Sequence, residues 1–396
     1  MSAEGMEYDA ARIEVLDGVR VVRKRPGMYV GSTGERGPRH MVLEVVGRAV
    51  NEVLAGRAGS VEVTLTADGG VRVADDGSGG SSEADGDTGG PDLEAQLTSL
   101  QDEFETRGRH IAAAYPFGVG LFVVNALSSR MTAEVRGEGA RRVYAYARGV
   151  AVEPPAAVGP ATGCGTAISF WPDTEIFETT SCSFTELAEL FRQVAFLNRS
   201  LKISLTDERP ADGPRSVLYQ FPDGVRDFVA ALGAERGAAL DPHVIGFERE
   251  DPRMAGTMEV ALLWNGAHKD SHEDSHEESI RGFANSRATS EGGTHVDGFR
   301  DGVAAAVTAY ARKRGLLASA DPDLRADRIG EGLTAVVSVK LDRPEFLGCT
   351  RGLLGNTDVR VCVAEAVQEY LADWFEEQPE RAAEVVDRVV GGNHQD

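Results

Sequence analysis

Three groups of residues carry spacings that suit nucleotide chemistry. Asp75 opens an Asp-x-Gly-x-Gly turn with Gly77 and Gly79. Gly118, Val119 and Gly120 form a Gly-x-Gly turn at the start of an apolar stretch. Glu44, Arg48, Asn51 and Glu52 share the polar side of a segment with helical periodicity. A carboxylate at a strand end accepts a hydrogen bond from an exocyclic amine such as that of adenine. A helix N-terminus behind a glycine turn cradles phosphate through its free N–H groups and its dipole. A carboxylate on a facing helix serves as general base towards water. His268, His272 and His276 have the i, i+4 spacing of helical metal ligands. They stand among five acids, however, and read better as a solvated surface segment.

Positioning these groups requires particular elements. In residues 40–56, Val42, Val45, Val46, Ala49, Val50, Val53 and Leu54 recur at i, i+3 and i+4, which predicts a helix, with Gly56 as its stop. VEVTLTADGGVRVADDG alternates around Asp68-Gly69-Gly70, a hairpin signal. Residues 77–92, rich in Gly, Ser and Asp, predict a loop, and LEAQLTSLQDEF a short helix after it. PFGVGLFVVNALSS reads as a turn feeding an apolar helix. Strands are expected at MTAEVRGEG, RRVYAYARG, GTAISFWPD and LKISLTD, and a helix at SFTELAELFRQVAFLN with Ser183 as N-cap. The polar stretch 207–216 is a candidate domain boundary. Beyond it, TMEVALLWN and GLTAVVSVKLD predict strands. HVDGFRDGVAAAVTAYARKRG and VRVCVAEAVQEYLADWFEEQ predict helices, with one βαβ-like unit ending in strand 333–341.

Composition narrows the classes. The 396 residues carry a formal net charge of −22, which disfavours an autonomous DNA binder. Basic residues cluster at Arg20, Arg23, Lys24 and Arg25, most simply a solvated loop. Hydrophobic residues make up 42%, enough for real cores, so a disordered chain is excluded. Cys164, Cys182, Cys349 and Cys362 form no CxxC pair, which argues against a disulfide scaffold or a thiolate zinc site. No membrane-spanning run or signal peptide is evident, so the expectation is a cytoplasmic protein.

YDAARIEVLDGVRVVRKRPGMYVGSTGERGPRHMVLEVV, NEVLAG, DGGVRVADDG, GVGLFVVNALS, TGCGTAISFWPDTEIFETT, ATSEGGTHVDGFR and EGLTAVVSVK resemble the N-terminal part of the DNA gyrase B family, type IIA topoisomerases of the GHKL ATPase superfamily. The resemblance implies an α+β chain: a Bergerat-type ATP-binding sandwich over 1–220 and a ribosomal-protein-S5-like transducer over 221–396. Neither EGDSAGG nor PLRGK occurs, so a cleavage domain is not expected. By the same resemblance Glu44 is the general base and His40 the histidine beside it. Asp75 reads adenine, and Thr166 shares a water with it. Gly77, Gly79, Gly118, Val119 and Gly120 line the turns. Tyr8 belongs to an N-terminal arm that reaches a partner subunit's nucleotide, and Arg351 faces a terminal phosphate.

The departures from the family pattern cluster. Arg48 stands at the Mg²⁺-ligating asparagine and Gly47 at its acidic neighbour. A guanidinium has no acceptor and cannot ligate a cation, so no metal site is expected. Ser78, Gly80 and Ser81 replace an arginine and Ile-Pro. Glu103 replaces a lid lysine, AAYPFGVG replaces SGGLHGVG, and Cys349-Thr350-Arg351 replaces QTK. Pro116 also removes an N–H. Arg48 follows Glu44 by one helical turn, which predicts an i, i+4 ion pair that neutralises the base. Alternatively, Arg48 takes over the metal's charge against an anionic ligand. The leading expectation is a non-hydrolysing ligand-binding or regulatory module. Its ligand is ATP or another small molecule, and its partners are a second copy through the arm or a gyrase subunit. A residual ATPase and a repurposed small-molecule pocket are the alternatives.

Overall fold

The computed structural model describes residues 18–78, 93–100, 119–137, 139–235, 244–264, 279–318, 322–324, 332–348 and 350–392. Its first half contains helices α1 (Gly18–Lys24), α2 (Gly27–Val30), α3 (Arg36–Leu54), α4 (Leu93–Thr98), α5 (Gly120–Ala126) and α6 (Phe184–Phe196). Its strands are β1 (Ser60–Leu65), β2 (Val71–Asp75), β3 (Ser128–Gly137), β4 (Ala140–Ala147), β5 (Val150–Pro160), β6 (Gly165–Pro172), β7 (Lys202–Asp207) and β8 (Arg215–Tyr219). They form one sheet in the order β5-β4-β3-β6-β2-β1-β7-β8, antiparallel except where β1 meets β7.

Alternation sets the layers. Val61, Val63 and Leu65 of β1 and Val71 and Val73 of β2 are buried, while Glu62 is exposed. The buried side receives α3, α5 and α6, and their apolar residues share one core. α3 is rich in valine, a mediocre helix former. Burial of Met41, Val42, Val45, Val46, Ala49, Val50 and Val53 overrides that preference. Gly56, with φ of 71°, sits just past the helix end, as the sequence predicts. Ser183 caps α6 by accepting from the Glu186 N–H at 3.3 Å.

The second half contains β9 (Ile245–Asp251), β10 (Gly256–Trp264), β11 (Ser279–Ala284), β12 (Arg287–Ala288) and β13 (Leu333–Leu341) in the sheet order β12-β11-β13-β10-β9. A short hairpin, β14 (Phe346–Leu347) with β15 (Leu353–Leu354), follows. The helices are α7 (Val225–Glu235), α8 (Thr294–Lys313), α9 (Thr357–Glu377) and α10 (Pro379–Gly392). β11, α8 and β13 make the βαβ unit, with β11 and β13 parallel. α8 and α9 approach closely because Gly302 has no side chain. A Cβ there would lie 2.5 Å from the Ala364 carbonyl oxygen.

Aromatic packing joins the two halves. Phe196 of α6 stacks on Phe221 and Phe228 at centroid distances of 3.7 and 4.7 Å, in a core shared with Ala261, Leu263 and Val336 of the second sheet. Arg199 Nε donates to Glu259 Oε1 at 2.8 Å across the same joint.

Several expectations change. The stretch 207–216 is the turn of the β7–β8 hairpin, whose ends pair Asp207 with Arg215, and so is not a break between domains. β5 went unpredicted because it contains Pro154 and Pro155 and lacks alternation. All its residues are exposed at the sheet edge, where prolines are tolerated. The basic cluster around Arg23 lies largely on α1 rather than in a loop. Arg23 donates to the Ala126 carbonyl and to Asp173 Oδ2, both at 2.8 Å. α4 ends at Thr98, shorter than predicted. Most of the 77–92 loop and the three histidines of 268–276 lie outside the described residues. Among the described residues, no helix is long and apolar enough to cross a membrane.

The β7–β8 hairpin yields a pH prediction. Arg209 Nε donates to Asp207 Oδ1 at 2.6 Å and Arg215 Nη2 to Oδ2 at 3.0 Å. The Arg209 hydrogen bond leads in holding the Asp207 carboxyl at about 2 rather than the usual 3.8. A depressed acid stabilises the fold above its unfolded value and loses that contribution as pH falls through the folded one. Asp207→Asn should therefore lower the melting temperature at pH 7. The deficit should shrink as pH falls from about 4 towards 2 in a thermal melt series.

Candidate nucleotide site

The site begins on α3. His40 and Glu44 are one turn apart and both are buried. His40 Nε2 lies 3.1 Å from Glu44 Oε1. Glu44 Oε2 accepts from the backbone N–H of Gly120, at the start of α5, at 3.0 Å. Gly120 has φ of 73°, a conformation natural to glycine. Helical periodicity puts Glu44 on a polar face. The structure buries it instead, because α5 covers that part of α3 and supplies a donor that keeps the carboxylate satisfied. A helix N-terminus attracts anions, and here the chain's own carboxylate answers it.

The second corner lies at the end of β2. Asp75 pairs with Thr166 in the β2–β6 register, and both are buried. Asp75 Oδ1 accepts from the Gly77 N–H at 3.1 Å and from the Thr166 N–H at 3.3 Å. Oδ2 accepts from Arg48 Nη1 at 2.7 Å, and Arg48 Nη2 donates to Thr166 Oγ1 at 3.2 Å. Burial pushes the Asp75 carboxyl above its ordinary value, and the Arg48 charge opposes that rise.

Arg48 therefore does not make the predicted ion pair with Glu44. Helical spacing puts the two residues side by side, but Glu44 already holds two partners under α5. The guanidinium reaches across to the sheet, where a buried carboxylate needs a cation. Gly165 also supports this corner and was not singled out from sequence. Its φ is 140°, and a Cβ there would lie 2.4 Å from the Asp75 carbonyl oxygen. The available signal was Gly163-Cys164-Gly165 immediately before a strand.

The structure thus brings together His40, Glu44 and Gly120 in one cluster and Arg48, Asp75, Gly77 and Thr166 in another, both on α3. Val119 stands directly before α5. Arg351, with φ of 49°, lies in the β14–β15 turn, where its N–H donates to the Gly348 carbonyl at 3.2 Å. That turn is tied to the second sheet, since Arg287 Nη2 donates to the Thr350 carbonyl at 2.9 Å. Among the described contacts, none joins Arg351 to Glu44 or Asp75. Tyr8, Gly79, Glu103, the 113–117 segment, Gly118 and Cys349 lie outside the described residues. Among the described residues, no group of three or more His, Cys, Asp or Glu side chains is placed to hold a metal ion.

The Arg48–Asp75 pair makes a stability prediction. Arg48→Met leaves the buried Asp75 carboxylate without its cation and should cost about 1–3 kcal/mol at pH 7. The lost charge raises the Asp75 carboxyl further in the folded state. A raised acid binds its proton more tightly when folded, so the variant's stability falls as pH rises. Its melting deficit against the parent should therefore be largest near neutrality and shrink as pH falls towards 4.

Comparison with known proteins gives the family. A model described as DNA gyrase B matches residues 224–396. The chain is 42% identical to the DNA gyrase B protein of Streptomyces coelicolor, covering 98% of this chain and 58% of that protein. It thus spans under two thirds of the length of that curated relative. The 43K ATPase domain of Thermus thermophilus gyrase B, solved with an aminocoumarin, superposes with a TM-score of 0.78 at 32% identity, covering 95% of each chain. The topoisomerase IV ATP-binding domain of Francisella tularensis, solved with a small-molecule inhibitor, gives a TM-score of 0.75 at 28% identity, covering 95% of this chain and 97% of that one. With a mixed sheet packed under α3, α5 and α6, and with a relative 32% identical over nearly its whole length, this α+β chain belongs to the DNA gyrase B family.

Proposed function

We propose that the chain is a gyrase-B-type nucleotide-binding module whose hydrolytic machinery is idle. In this reading residues 1–220 bind the ligand and residues 221–396, S5-like, transmit its presence. Asp75 and Thr166 face the base, and the Gly118–Gly120 turn faces the phosphates. Arg351 approaches a terminal phosphate after closure, and the Tyr8 arm meets a second copy of the chain. A gyrase subunit is the natural further partner, and the cytoplasm the natural compartment. The protein acts as a binding or regulatory unit.

The observation that carries this reading is the state of Glu44. A general base needs an acceptor lone pair directed at water. Here both Glu44 oxygens are engaged inside the chain, one facing His40 and the other accepting the Gly120 N–H, and the side chain is 4% exposed. Arg48, in the family's metal-ligand position, supplies donors only. An active ATPase would need Glu44 released and a cation held without that ligand.

Steady-state phosphate release with Mg·ATP tests the reading. The parent and Glu44→Ala proteins should release phosphate at the same background rate. A working general base contributes about 10²–10⁴-fold, so a drop of that size on Glu44→Ala would overturn it. Thermal shift supplies the binding half. Nucleotides should raise the melting temperature with and without Mg²⁺, since a ligand of the native state stabilises by mass action.

A further inference from the structure

The corner formed by Arg48, Asp75 and Thr166 has a definite donor and acceptor balance. Asp75 Oδ1 already accepts two backbone N–H groups and Oδ2 accepts the guanidinium. Thr166 Oγ1 accepts from the same guanidinium. A guanidinium carries five N–H donors and no acceptor. Two are spent on Asp75 and Thr166, so one on Nη1, one on Nη2 and the Nε–H remain. The Arg48 side chain is 17% exposed while that of Asp75 is 2% exposed. The arginine is therefore the more accessible member of the pair. A ligand edge at this corner reaches the guanidinium more readily than the carboxylate.

We infer that Arg48 is a specificity-determining residue that turns this corner from an acceptor into a donor, so that it selects a 6-oxopurine nucleotide over an adenine nucleotide. The inference rests on the proposed placement of a base at Asp75. Both purines present N7 as an acceptor, but adenine sets an N6 amino donor beside it where guanine sets an O6 acceptor, and the O6/N7 pair is the one that matches arginine. An adenine amine facing Arg48 sets donor against donor. Three of the four lone-pair sites of Asp75 are taken, so an adenine amine is left one on Oδ2, beside a guanidinium that already donates there, and displacing that guanidinium would strip a buried carboxylate of its cation. A 6-oxo group needs no such displacement, because the two remaining Nη donors and the Nε–H are available to it while the clasp on Asp75 persists. Hypoxanthine and guanine share this edge, so the 6-oxo group and not the 2-amino group is the feature read.

The test is calorimetric titration of the full chain with GTP, ITP and ATP, in the presence of a chelator so that metal loading plays no part. The parent protein should bind GTP and ITP at least about tenfold more tightly than ATP, the discrimination of one good arginine-to-purine contact. Arg48→Asn, which frees Asp75 as an acceptor, should reverse the order. Arg48→Lys keeps the charge and loses the planar fork. It should narrow the preference without reversing it, and it carries the test if Arg48→Asn fails to fold. Nucleotide binding with ATP equal to or tighter than GTP, or a preference untouched by either substitution, overturns the inference and leaves the nucleotide-binding reading standing. Binding of no nucleotide by the parent or the variants overturns both.

Discussion

A carboxylate buried at the end of a strand constrains everything around it. Asp75 ends β2 beneath α3, with almost no access to water. Such a group must be neutralised or paired. It receives two backbone N–H groups and one guanidinium. Meeting that demand requires Gly165 to bring β6 close, Thr166 to turn its N–H inward and Arg48 to cross from the helix to the sheet. The chain's own groups thus satisfy the carboxylate, with Arg48 as the partly exposed member of the corner.

The neighbouring cluster follows the same rule. Glu44 is satisfied by His40 from its own helix and by Gly120 from α5. Both clusters hang from one face of α3, four residues apart, and α3 is held by the core beneath the eight-stranded sheet. A shift of α3 would move the Glu44 and Arg48 corners together. The aromatic joint of Phe196, Phe221 and Phe228 links that sheet's layer to the second sheet. An apolar seam supplemented by the hydrogen bond from Arg199 to Glu259 joins the two halves.

Much of the fold was legible because the local signals agreed. The valine periodicity of α3, the Asp68-Gly69-Gly70 turn and the Ser183 cap each point to the element observed. β5 was illegible because Pro154, Pro155 and small residues erase the alternation that betrays a half-buried strand. The polar linker around 210 misled because a hairpin turn and a domain linker share the same composition. Only the pairing of Asp207 with Arg215 distinguishes them.

The sequence by itself determined the element types, the residues able to do chemistry and the family resemblance, since periodicity and motif spacing are local properties. Through the family resemblance it also puts Arg48 at the position of a metal-ligating asparagine. The tertiary structure decided which partner that arginine takes. Along a helix Glu44 is the near neighbour of Arg48, and spacing alone favours their pairing. Across the fold Glu44 is already satisfied, and Asp75 is buried and needs a cation. Desolvation, which no linear spacing encodes, outweighs proximity along the chain.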